Sequence, residues 1–351
     1  DKEEEYKEPR IAIRMDGKYN IGEVRGVGEH QNLEGCMTPI AEKKLNEFPN
    51  KDKYLKKVNN MKLLTEIEKK VNEAKELTKE ELSFLYEIDS KIEGFGYSKD
   101  PRIKEIRDKR NNKKDLAFVF NCKEENIGTK LSDFANNNII CFYGDLKYEK
   151  ETIPSNFKEL RYIIGYAVFT NLSSASCLEN LQLINGEVYF GSLISAEGFE
   201  NLQNIGGDAS FPRLISAKGF ENLQNIGGFA NFPRLISAEG FSSLQNISGG
   251  AAFPSLTSAE GFENLENIGK GAAFPKLTSA KGFDSLKNIG LKAYFDSLES
   301  AKGFKSLQNI GGFAEFPKLI SAEGFDSLET VNGEDASKFK EEINSRGNKT
   351  L

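Results

Sequence analysis

The chain has 351 residues, 38% hydrophobic and 28% charged, enough apolar content to bury a large core and to exclude disorder of the whole. Forty-seven basic against 53 acidic residues leave a net charge of −6, the wrong sign for a protein that binds by neutralising phosphates, so nucleic acid is excluded as a partner. No stretch approaches the roughly 18 uninterrupted apolar residues of a membrane-spanning helix.

The chain opens on "DKEEEYKEPR", with no initiator Met and no apolar leader. A signal peptide is therefore either absent or already removed; a cytoplasmic location is the default expectation and export stays open. The segment "RIAIRMDGKYNIGEV" alternates apolar and polar residues around Asp16-Gly17, which predicts a β-hairpin closed by a two-residue turn. From about Pro39 the pattern turns helical, with Val58, Met61, Leu64, Ile67 and Val71 recurring every three to four residues. Thr78 and Glu81 form a capping box that opens a second helix, and Asp100-Pro101 opens a third, with Pro at its first position. Residues 1–135 are thus expected to form a β-hairpin and helical module.

From residue 136 the chain repeats itself every 21 residues. With Phe199 as position 1 of the unit, the same frame catches Phe157, Leu178, Phe220, Phe241, Phe262, Phe283, Phe304 and Phe325. Position 4 is Leu from Leu160 to Leu328, and position 16 is Leu from Leu172 to Leu319. Position 7 is Ile from Ile163 to Ile310 and then Val331, and position 13 is Phe from Phe169 to Phe316. A fixed short period means that each unit leaves an apolar face uncovered and must lean on its neighbours.

Inside the unit, positions 11 and 13 alternate with polar or variable residues, as a strand does, while positions 1, 4 and 7 recur every three residues, as in a 3₁₀ turn or a second extended segment. Gly at positions 8, 9 and 21 marks corners. The predicted fold is α+β: a right-handed parallel β-solenoid over residues 136–333, with about nine coils advancing about 4.8 Å each, preceded by the N-terminal module. Asn at position 6 (Asn204 to Asn309) and Ser at position 18 (Ser195 to Ser321) are expected to satisfy turn amides from coil to coil. After Leu328 the frame breaks; Asp335 as helix N-cap and Ala336, Phe339 and Ile343 on one face predict a C-terminal capping helix and tail over residues 334–351.

The phrase "LISAEGFENLQNIGGDASF" resembles the repeat of leucine-rich and receptor-L-domain solenoids. It is also similar to a group of bacterial repeat proteins carrying "LTSAEGL" and "IGGDA" phrases, and "FLYEIDSKIEGFGYSKDPRIKEI" resembles the N-terminal part of that group. The resemblance implies a stacked-coil fold and no particular activity. Phe replaces the usual Leu at positions 1 and 13, and the unit is shorter than most receptor L domains.

Cys36, Cys122, Cys141 and Cys177 lie far apart with no C-x-x-C pair, so neither a zinc site nor a dense disulfide framework is expected. No Asp-rich calcium loop or His-x-x-Glu spacing appears, so no metal or cofactor is expected, and the repeat columns put no pair of carboxylates inward for hydrolytic chemistry. The one histidine, His30, precedes Cys36 in "GVGEHQNLEGCM" and offers the alternative of a thiol-dependent enzyme using the solenoid to select substrate. Strand positions 10 and 12 face outward. There Tyr189, Phe229, Asn231, Tyr294 and Phe313 form the candidate binding surface, because aromatic side chains on an outer sheet face are costly unless covered. Arg213, Arg234, Lys276 and Lys318 at position 15 read as a solubilising edge. The expected function is a non-catalytic interaction protein that binds another protein, with a glycan as a secondary possibility; a structural, adhesin-like spacer is a further alternative.

Overall fold

The computed structural model describes residues 11–16, 20–26, 43, 51–95, 99–152 and 154–348. The chain separates into two compact units, residues 1–111 and 112–351. The second unit begins at Asn112.

In the first unit, β1 (Ile11–Asp16) and β2 (Asn20–Gly26) pair antiparallel. Asp16 is opposite Asn20 and the register shifts between Arg14 and Met15, while Gly17 of the two-residue turn expected at Asp16-Gly17 lies outside the described residues. Ile13 and Val24 of the hairpin pack against Tyr54 of α1 (Lys51–Asn72). Helix α2 (Lys79–Leu85) starts with the capping box read from the sequence: Glu81 N–H donates to Thr78 Oγ1, and Thr78 N–H donates to the Glu81 carboxylate. Helix α3 (Pro101–Asp108) is capped by Asp100, whose Oδ1 accepts the Arg102 N–H at 3.0 Å. Buried Glu87 ties these pieces together: Arg107 Nη2 reaches its carboxylate at 3.1 Å, the Ile92 N–H donates to it at 3.2 Å, and Lys99 closes the group.

The second unit is a parallel β-solenoid with 21-residue turns. It opens with α4 (Asn112–Phe120) and the short strand β3 (Ile127–Gly128), which pairs with β4 (Cys141–Tyr143). Each later coil adds one strand to each of two sheets. The 12-stranded sheet holds positions 6 and 7, from Tyr162–Ile164 to Thr330–Val331. The nine-stranded sheet holds positions 11 and 12, from β5 (Leu146–Tyr148) to Ala314–Glu315. A third side is stitched by isolated pairs such as Ser195 with Ser216 and Ser237 with Ser258. Of the two readings of positions 1, 4 and 7, the second strand covers positions 6 and 7. The 3₁₀ turn occurs ahead of it in early coils, at Ser155–Phe157 and Ser176–Leu178.

Register is exact to the period: Asn204 pairs with Asn225 and Ala209 with Ala230, 21 residues apart. Like side chains therefore meet like. Phe232 stacks on Phe253 and Phe253 on Phe274, with ring centroids 5.2 and 5.3 Å apart, and the other Phe column meets this one edge-on, Phe253 to Phe262 at 5.4 Å. Each buried Phe contributes roughly 1.5–3 kcal/mol gross, most of it offset by chain entropy, so stability comes from stacking rather than from any one coil.

The corner at position 21 explains why coils approach so closely. Gly198, Gly219, Gly240, Gly261, Gly282 and Gly324 all have φ between 104° and 112°. A Cβ on Gly261 would lie 2.1 Å from the Ala238 carbonyl oxygen of the preceding coil. Where the column holds Asn156 or Cys177 instead, the corner becomes one of the 3₁₀ turns.

Two polar columns behave differently from expectation. The Ser hydroxyls act within their own coil: Ser237 Oγ accepts the Glu239 N–H and Ser258 Oγ the Glu260 N–H, both at 3.2 Å. The position 6 asparagines bind one another instead of turn amides, each Nδ2 donating to the Oδ1 one coil earlier at 2.8–3.1 Å from Asn225 to Asn288. Coil-to-coil capping of carbonyls falls to position 3, where Asn222 Nδ2 donates to Glu200 O at 2.6 Å and Asn264 Nδ2 to Ser242 O at 2.7 Å.

The array ends by turning back. Asn332 and Gly333 take φ of 51° and 74°, the left-handed pair of a tight hairpin, and Thr330–Val331 pairs antiparallel with Glu334–Asp335. Helix α5 (Ser337–Asn348) follows, with Asp335 accepting the Ser337 N–H at 2.8 Å. Ala336 and Ile343 are buried and Phe339 meets Phe316 and Phe325 edge-on, so the helix covers the last coil's core. Asn344 and Arg346 cap its open backbone, accepting from Ala322 N–H and donating to Phe316 O.

Candidate functional site

The outer face of the nine-stranded sheet follows from strand alternation. Position 11 is buried Ala in Ala209, Ala230, Ala251, Ala272 and Ala293, and position 13 is buried Phe, which turns positions 10 and 12 outward. The candidate residues are all on this face. Phe313 is 62% exposed, Phe229 42% and Tyr189 39%, while Asn231 and Tyr294 are half-buried.

Inter-strand pairing arranges them. Along position 12 the neighbours run Tyr189, Ser210, Asn231, Ala252, Ala273, Tyr294 and Glu315, each paired with the next. Along position 10, Phe229, Gly250, Gly271, Lys292 and Phe313 occupy successive coils. The structure thus brings Phe229 and Asn231 onto one coil, leaves two coils with nothing larger than a methyl group at Gly250, Ala252, Gly271 and Ala273, and raises a second wall at Tyr294 and Phe313. From the Phe229 coil to the Tyr294 coil is three steps, about 14 Å. Tyr189 stands two coils before Phe229, apart from this trough.

Local contacts hold the near wall. The Phe229 N–H donates to Asp208 Oδ1 at 2.7 Å, anchoring the backbone where the ring projects. The ring leans forward over the next coil: a Cβ on Gly250 would lie 3.0 Å from two of its carbons, and Gly250 is buried as a result. A side chain at position 250 would have to displace the Phe229 ring by a few tenths of an ångström.

Tyr166, 46% exposed at position 10 of an earlier coil, belongs to the same face and has its N–H bonded to Asp145. The repeat frame places it there, but its coil precedes the run of Gly-Gly phrases that marks the face in the sequence. The exposed isoleucines at position 17 are a second surface feature without a strand pattern to flag them. Comparison with family models, with curated proteins and with solved structures finds no match to this chain.

Three cysteines lie among the described residues. Cys122, Cys141 and Cys177 are free; burial pushes the Cys141 thiol well above its ordinary range and raises that of Cys122. His30 and Cys36, the residues of the enzymatic alternative, lie outside the described residues. Among the described residues no group of three or more His, Cys, Asp or Glu side chains could hold a metal, and no helix is long and apolar enough to cross a membrane.

Proposed function

We propose that the chain is a non-catalytic interaction protein that presents the outer face of the nine-stranded sheet to a protein partner. One observation carries this reading: a methyl-sized floor of Ala252, Gly271 and Ala273 lies between aromatic walls on the sheet, with Gly250 covered by the Phe229 ring. Burying an aromatic side chain against such a floor is the kind of contact that dominates binding energy, and the stacked core holds the walls in place at no cost in ordering. The surface suits a protein loop better than a glycan, because polar side chains that would fix sugar hydroxyls are sparse between the walls. The reading includes kinship with leucine-rich, receptor-L-domain-like repeats of bacterial origin, supported by the phrase "LISAEGFENLQNIGGDASF".

The test is affinity capture with the intact chain and with a Phe229→Ser, Tyr294→Ser, Phe313→Ser triple variant, both shown by circular dichroism to be folded. The variant is expected to lose the partners retained by the intact chain. Equal recovery from both would remove this face from the function.

A further inference from the structure

The third side of the solenoid carries the phrase Arg-Leu-Ile-Ser. Leu214 and Leu235 are fully buried there, so the residues flanking each, Arg213 with Ile215 and Arg234 with Ile236, turn outward and are exposed. Ile194, Ile215 and Ile236 are 57%, 42% and 52% exposed in three consecutive coils. The Ile215 N–H donates to Ile194 O at 2.9 Å, and Ile236 holds the same position of the 21-residue frame one coil further on. The result is a straight row of β-branched side chains about 4.8 Å apart. Arg213 and Arg234 make a second row beside it. Neither is ion-paired among the described residues, whereas Lys218, further along the same coil as Ile215, is paired with Glu197 at 3.4 Å. The rows are interrupted beyond this patch by Ser255 with Thr257, Lys276 with Thr278 and Ser297 with Glu299, and the pairing of a cation with an exposed isoleucine returns at Lys318 and Ile320.

A ridge of exposed isoleucine beside unpaired guanidinium groups is complementary to an apolar stripe flanked by carboxylates. The spacing decides what carries that stripe. An α-helix lying along the solenoid axis presents one residue per turn every 5.4 Å, so two steps along three coils accumulate a mismatch of only about 1 Å. An extended strand presents same-face residues every 6.6–6.8 Å and is out by nearly 4 Å over the same two steps. We infer that the Ile194–Ile215–Ile236 ridge and Arg213 and Arg234 form a second docking surface, for an acidic amphipathic helix of a partner protein. It stands independently of the aromatic face.

The test uses the full chain and a fluorescein-labelled helical peptide of about five turns with Leu along one stripe and Glu along the adjoining one. The control peptide has Lys in place of every Glu. Fluorescence anisotropy is expected to show the Glu peptide binding at least about tenfold more tightly than the Lys peptide, with the advantage shrinking as salt rises. The Arg213→Glu, Arg234→Glu variant should reverse the preference, and Ile215→Ser, Ile236→Ser should weaken the Glu peptide by about tenfold or more. The triple aromatic variant should bind the Glu peptide as the unaltered chain does. Absence of binding, equal binding of the two peptides, or a preference unmoved by charge reversal would overturn the proposal. So would loss of peptide binding in the aromatic variant, which would assign the peptide to the other face. Tighter binding to vesicles of phosphatidylserine and phosphatidylcholine, abolished by the same arginine changes, would assign the patch to a membrane surface instead.

Discussion

Gly261→Ala and Gly271→Ala make the same chemical change in adjoining coils and should act in opposite directions. At Gly261 φ is +112°, and the new methyl group would lie 2.1 Å from the Ala238 oxygen and 2.4 Å from its carbon, both backbone atoms. Holding alanine at such a φ costs about 1–3 kcal/mol. Relieving the overlap requires the two coils to part by about 1 Å near the corner, weakening the adjoining bonds from Glu266 and Asn267 N–H to Gln245 O, at about 1 kcal/mol each. The sum is about 3–5 kcal/mol, or a fall in melting temperature of roughly 10 °C for a unit of this size. At Gly271 the nearest atom to the new methyl group is the Lys292 oxygen at 3.4 Å, an ordinary contact, and φ is not in the left-handed range. There alanine narrows the unfolded ensemble and should stabilise by about 0.4–1 kcal/mol. Thermal and urea unfolding followed by circular dichroism measure both. If Gly261→Ala melts with the unaltered protein, close coil approach through position 21 is not what holds the array together.

Removing the lid should be felt at the end of the array: Ile343→Ala deletes a fully buried side chain of α5 and is expected to cost about 2–5 kcal/mol. Hydrogen exchange should then rise first near Phe316 and Phe325, and exchange that rises uniformly along the solenoid would contradict an end-cap role. Acid should loosen the N-terminal unit through Glu87. Burial raises its pKa, but the hydrogen bond from Lys99 and the charges of Lys99 and Arg107 outweigh burial and hold it below 4.5. A depressed folded-state pKa means stability that is complete above about 4.5 and is lost as pH falls through the folded value. Glu87→Gln should flatten that acid limb in a pH series of unfolding curves; an unchanged limb would place the acid sensitivity elsewhere.

The period, the inward columns and both sets of helix signals are legible in the residues themselves. Phe, Leu and Ile recurring at fixed positions can be buried only if equivalent positions stack, and Thr78, Asp100 and Asp335 act on backbone groups within a few residues. The outward direction of Phe229, Tyr294 and Phe313 follows from alternation along a strand. Contacts made 21 residues away do not follow so directly. Whether Asn225 bonds a turn amide or Asn204 depends on how neighbouring coils are offset, and Phe229 lies over Gly250 because of the rotamer it adopts across the coil boundary. The isoleucines at position 17 belong to none of the columns that the spacing assigns inward or outward. Leu214 is marked inward by its column, and the closing of each coil around three sides leaves Ile215 beside it in water. Local chemistry sets which residues stack; the path of the chain around the corners decides which side chains the stack leaves outside.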